Sequence, residues 1–90
     1  MALRYARSAF PHGISRERIA YVVEHCELPL AEPEETGRDI VVFLGDDGRG
    51  VSLEVAGIEL EGGDVLIIHA MRLRRKYADD YARVTGWRVP

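Results

Sequence analysis

The chain has 90 residues and a formal net charge of −3, with 47% hydrophobic and 30% charged residues. That balance suits one small folded domain over residues 1–90 rather than a disordered chain. No apolar run approaches the roughly 20 residues that span a bilayer, the start MALRYARSAF lacks the apolar centre of a secretion signal, and the lone Cys26 excludes an internal disulfide, so a cytoplasmic protein without a membrane partner is expected.

In chain order, YARSAFPHG predicts at most one helical turn, broken at Pro11. The first clear helix is predicted from GISRERIAYVVEHC. Ser15 suits its N-cap, and Ile14 and Ile19 match a hydrophobic staple. Ile19, Val22, Val23 and Cys26 recur at i, i+3, i+4 and i+7 and form the stripe to be buried. Pro29 ends that helix. LPLAEPEETGRD reads as loop, with a short strand near Leu28–Ala31.

Three strands follow. DIVVFLG is apolar throughout, and GDDGRG is dense in turn formers. VSLEVAGIEL alternates with Val51, Leu53 and Val55 on one side, then slips phase at Ala56, Ile58 and Leu60. One extra residue at Ala56–Gly57, a β-bulge, would restore a single apolar face. EGGD is a hairpin signal, and VLIIHAM is the last strand. A closing helix over about Arg72–Thr85 presents Leu73, Tyr77, Tyr81 and Val84 on one side, with Gly86 at its C′ position. The expected class is α+β: an N-terminal helix, an antiparallel meander of three to four strands, and a basic C-terminal helix.

The small net charge hides an asymmetry. Arg4, Arg7, Arg16 and Arg18 against Glu17 leave residues 1–22 at +3. Twelve acids against Arg38 and Arg49 leave residues 23–66 at −10, and residues 67–90 stand at +4. If the two basic ends meet in space, they form one cationic patch able to attract a polyanion.

IIHAMRLRRKY sharpens that expectation. His69 ends an apolar run, facing the same side as Val65 and Ile67, and reads either as a core or rim residue or as a chemical one. Arg72, Arg74, Arg75 and Lys76 then fall at the predicted start of a helix, where the backbone dipole disfavours cations. Arg72 and Arg74 lack i+4 acids there. Unpaired guanidiniums, helix N–H groups and an imidazole are what a phosphate needs. Tyr77 is placed to stack on a base or donate a hydrogen bond. If His12 converges with His69, the two supply a proton acceptor and a proton donor. His12, His25 and His69 have no ligand-like spacing, and GDDGRG lacks the twelve-residue calcium pattern, so no metal and no cofactor are expected.

Three stretches together resemble the BrnT family, toxins of bacterial type II toxin–antitoxin pairs. HGIS opens an amphipathic helix, GRDIVVFLGDDGRG precedes an alternating strand, and DVLIIHAMRLRRKYADDY joins a last strand to a basic segment. The likeness covers most of residues 7–81. It implies a fold akin to RelE-type ribonucleases, metal-free RNA cleavage, and a cognate antitoxin protein, with a homodimer or a toxin–antitoxin hetero-oligomer left open. The family ends its last strand with Ser-Ala-Arg, whereas this chain has His69-Ala70-Met71. For transfer to the ribose 2′-hydroxyl, the candidates in this chain are His69 as base or acid with His12 as its partner, Arg72 and Arg74 as phosphate clamps, and Tyr77 as a stacking or hydrogen-bonding aid. Arg7, Arg75 and Lys76 become RNA-backbone contacts. A non-catalytic module binding protein or nucleic acid is the alternative.

Overall fold

A computed structural model describes residues 1–33 and 39–87. The loop expected over 34–38 lies outside the described residues. Strand β1 (Leu3–Tyr5) opens the chain, then a 3₁₀ turn (Arg7–Ala9), helix α1 (Arg16–His25) and strands β2 (Leu30–Pro33), β3 (Asp39–Asp46), β4 (Ser52–Glu59) and β5 (Val65–Arg72). A second 3₁₀ turn (Arg75–Tyr77) leads into helix α2 (Ala78–Thr85). The class is α+β, with one five-stranded mixed sheet ordered β1-β5-β4-β3-β2.

Strands β2 to β5 form the expected antiparallel meander. The chain does not begin with a helix, however. Residues 3–5 pair in parallel with β5, Leu3 opposite Val65 and Tyr5 opposite Ile67. A three-residue strand is too short to announce itself by alternation, and its partner lies at the far end of the chain.

α1 forms where its signals place it. Ser15 is extended and its Oγ accepts the Arg18 N–H at 3.3 Å. Ile19, Val22 and Val23 are buried against Phe43, Leu53, Val55, Val65, Ile67 and Ala70. Cys26 only partly reaches this core, because the helix stops at His25, ahead of Pro29. The opposite face of the sheet is also covered. Val42 and Leu44 pack there with Tyr77 and Tyr81 from the segment around α2. Two covered faces explain why DIVVFLG is apolar at both parities.

The GDDGRG turn is held by its own carboxylates. Asp46 Oδ2 accepts Gly48 N–H at 2.7 Å, and Asp47 Oδ1 accepts Arg49 and Val51 N–H at 2.8 and 3.1 Å. Arg18 Nε reaches from α1 to Asp47 Oδ2 at 2.7 Å. Burial alone would push the Asp47 carboxyl up; these hydrogen bonds outweigh it and hold it below its ordinary value.

The bulge exists, but on the other strand. Ala56 pairs with His69 and Gly57 with Ile67, so the extra residue is Ile68 on β5. This corrects the expected face of His69. Ile67 and Ala70 both enter the α1-side core, which their spacing permits only because of the bulge. His69 is thereby turned to the opposite face, beside Glu54.

The expected helix over Arg72–Thr85 is corrected as well. β5 runs on to Arg72, opposite Leu53, and Leu73 N–H donates to Ser52 C=O at 3.0 Å. Arg74 stays extended because its backbone N–H donates to Glu54 Oε1 at 2.9 Å. The cations therefore precede α2. Its first turn holds Asp79 and Asp80, and Arg83 lies in its last, the order the helix dipole favours. Gly86 closes it in a left-handed conformation with φ of 77°.

Candidate functional site

A cleft of about 290 Å³ opens on the α2 side of the sheet. β4 supplies Glu54, β5 supplies His69, β2 supplies Glu32, and the segment leaving β5 supplies Arg74, Lys76 and Tyr77. Glu54 is the centre. Its side chain is 2% exposed. The Arg74 guanidinium grips it through Nε at 3.0 and 3.1 Å and Nη2 at 2.7 Å. His69 Nε2 lies 3.3 Å from Glu54 Oε2. That nitrogen is shut off from solvent and its approach is too oblique for a well-formed hydrogen bond, so the contact is chiefly electrostatic.

His12 reaches the same place from the N-terminal segment. Ala6 N–H donates to Ile67 C=O at 2.9 Å, and past that bond β1 no longer covers β5. The turn through Pro11 and His12 follows the uncovered edge. Gly13, at φ of 74°, takes the left-handed conformation that carries the chain from His12 into the α1 cap. The His12 and His69 rings meet edge to face, with centroids 5.8 Å apart. His12, Arg18, Met71 and Arg72 also border a second cleft of about 330 Å³. The basic ends thus do meet, at the end of β5.

The other expected site residues divide. Arg74 is not the free cation expected of it, because the Glu54 carboxylate neutralises it. Arg72, Arg75 and Arg7 are exposed and make no ion pair among the described residues. Lys76 Nζ stands 4.0 Å from Glu32 and over the Tyr77 ring. Tyr77 is buried, so its ring has no free face for a base, and its hydroxyl donates to Glu32 Oε2 at 2.7 Å. Burial first, then that hydrogen bond, pushes its ionisation well above the ordinary phenol range. Tyr77 stays protonated and cannot serve as a base.

Glu54 and Glu32 escaped the sequence reading. Alternation places Glu54 opposite the Val51, Leu53 and Val55 side without marking it as buried. Its signal was an acid at the middle of a strand whose two neighbours are long and apolar: on a central strand such an acid needs a partner.

Burial would raise the Glu54 pKa. Hydrogen bonds from Arg74, with the charges of Arg74 and His69, outweigh that and hold it below its ordinary 4.5. Its unfolded value exceeds its folded one, so the stabilisation is complete above about 4.5 and is lost as pH falls through the lowered folded value. Asp47 acts with the same sign. Urea midpoints should therefore be flat near neutrality and drop steeply only below the ordinary carboxylate range. A midpoint unchanged down to pH about 2 would contradict this.

No three of His, Cys, Asp and Glu among the described residues are grouped as metal ligands would be. No helix among them is long and apolar enough to cross a membrane.

No family model, no curated protein and no solved structure matches the chain.

Proposed function

We propose that this protein is a metal-independent endoribonuclease, the toxin of a toxin–antitoxin pair, cutting RNA through the ribose 2′-hydroxyl. The observation that carries the reading is the meeting of His12 and His69, with ring centroids 5.8 Å apart. Two imidazoles at one site can hold a base and an acid at the same pH. The base takes the 2′ proton, the 2′ oxygen attacks phosphorus, and the phosphorus–O5′ bond breaks. The acid then protonates O5′. The products are a 2′,3′-cyclic phosphate and a 5′-hydroxyl.

Arg72, beside His12 and exposed, is the cation for the extra phosphate charge. It stands in for the arginine that Met71 replaces. Arg74 passes from phosphate clamp to structural partner of Glu54, and Arg75 and Arg7 remain backbone contacts. The toxin assignment, the RelE-type layout and the antitoxin partner rest on the sequence resemblance. A four-stranded meander with a helix on each face is in keeping with it.

The test is purified protein with an RNA oligonucleotide, its DNA counterpart and its 2′-O-methyl form, all in a chelator. Cleavage of RNA alone, ending in a cyclic phosphate, is expected. His12→Ala and His69→Ala should each lower the rate by about 10²–10⁴-fold with unchanged circular dichroism. Cleavage of the 2′-O-methyl strand, or full activity in a folded double variant, would sink the reading. One observation favours the alternative of a non-catalytic binding module: the Arg74 charge is already spent on Glu54. Intact RNA and normal growth on expression of the folded protein would decide for it.

A further inference from the structure

We propose that Glu54 is a positioning residue: it keeps the proton of neutral His69 on Nε2, so that Nδ1 is the base and His12 the acid. The tautomer stands on geometry alone; its catalytic consequence rests on the ribonuclease reading above.

Three observations carry it. First, among the described residues Glu54 Oε2 is the one acidic oxygen that faces His69 Nε2, at 3.3 Å, and that nitrogen has no well-formed hydrogen bond there and no solvent. A lone pair on Nε2 would point at a carboxylate, whereas an N–H there is attracted to it even along an oblique approach. Second, Glu54 cannot swing away. Its two oxygens are held by the backbone N–H, Nε and Nη2 of Arg74, and a 2%-exposed side chain has no room to turn. An ionised carboxylate so held accepts hydrogen bonds and donates none. Third, 29% of the His69 side chain reaches solvent, none of it through Nε2, and Nδ1 is not among the buried atoms that lack a partner. A neutral His69 with its proton inward therefore offers its lone pair outward, on Nδ1.

His12 has the opposite setting. It is exposed on a turn and has no carboxylate in contact among the described residues. No hydrogen bond among the described residues fixes its tautomer, and solvent can reprotonate it after each turnover, which an acid requires. The 2′ O–H bond breaks and its proton goes to His69 Nδ1. The O2′–P bond forms as P–O5′ breaks, and O5′ takes the proton that His12 carried. The Arg74 guanidinium does not touch the phosphate; it fixes Glu54, which fixes His69.

The experiment is long-range ¹H–¹⁵N correlation on uniformly ¹⁵N-labelled wild-type protein and on Glu54→Gln, at a pH where His69 is neutral, beside single-turnover cleavage by both. A pyridine-like shift at His69 Nδ1 and a pyrrole-like shift at Nε2 are expected in the wild type. Glu54→Gln should move both shifts toward the mixed-tautomer average and lower kcat about 10–10³-fold, with KM little changed. The proton on Nδ1 in the wild type would overturn the assignment, even if Glu54→Gln failed to fold. So would a folded Glu54→Gln with unaltered shifts and unaltered kcat. A wild-type protein that showed the expected shifts but cut no RNA would strike down the ribonuclease reading and leave the tautomer standing.

Discussion

Arg74→Ala is expected to lower the unfolding free energy by about 2 kcal/mol at neutral pH, read as a shift of the urea midpoint. The substitution leaves the Glu54 carboxylate in place at 2% exposure, with only the backbone N–H of residue 74 and the oblique His69 contact as partners. Stranding a buried charge typically costs about 3–5 kcal/mol. The Arg74 side chain is 45% exposed, so water already screens part of the pair and the lower figure applies. The pH dependence gives a second reading of the same event. Without its guanidinium, Glu54 ionises less readily in the folded state. The deficit should be largest at neutrality and shrink as pH falls through the variant's Glu54 pKa, which desolvation without the guanidinium places above the wild-type one. Replacing both partners, Glu54→Leu with Arg74→Met, should recover most of the loss, because no charge is left buried. A single variant as stable as the wild type at neutral pH would show Arg74 to be the free cation that sequence alone suggests.

Gly57→Val is expected to cost more than the about 1–3 kcal/mol typical of overpacking, and to disturb the site at a distance. A Cβ at Gly57 would stand 2.6 Å from Val65 Cγ1 and 3.1 Å from Leu66 C=O. Val65 is β-branched and 2% exposed, so its methyl cannot rotate out of the way. The strands must part instead, at the place where Gly57 faces Ile67 across the bulge. Parting them loosens Ile68, and His69 next to it loses its defined approach to Glu54. Thermal melting should show the loss of stability. The His69 imidazole signals should broaden in the same variant while those of the distant His25 stay sharp. Sharp His69 signals in a destabilised Gly57→Val would separate the bulge from the orientation of the imidazole.

Much of this architecture was legible because it is written locally. Ser15, the Ile19-Val22-Val23 stripe and Gly86 each act within a few residues, and α1 and the end of α2 fall where they point. The meander was legible for the same reason, since each of its turns joins neighbours. Illegible features depend on partners far along the chain. β1 has no meaning without β5. The start of α2 is delayed because Glu54, twenty residues earlier, captures Arg74 in an extended conformation. The same distance effect governs the site. His12 and His69 were candidates by type, but whether they meet depends on the edge of β5 that β1 leaves uncovered. The face of His69 was misjudged by a single residue: alternation cannot tell which of two paired strands holds the bulge, and that choice reverses every side chain beyond it.

The parallel pairing of β1 with β5 sets the order in which the molecule is completed. Leu3 waits for Val65, and the Ala2 backbone also bonds to residues 64 and 65. The meander and α1 close over short loops, whereas this pair closes over most of the chain and is formed slowly. On a ribosome the first five residues emerge long before their partner does. The edge of β5 stays open until they return, and His12 is drawn to His69 in that same last step. A chain halted before β5 would hold His12 without His69, and so without the contact that the two rings make.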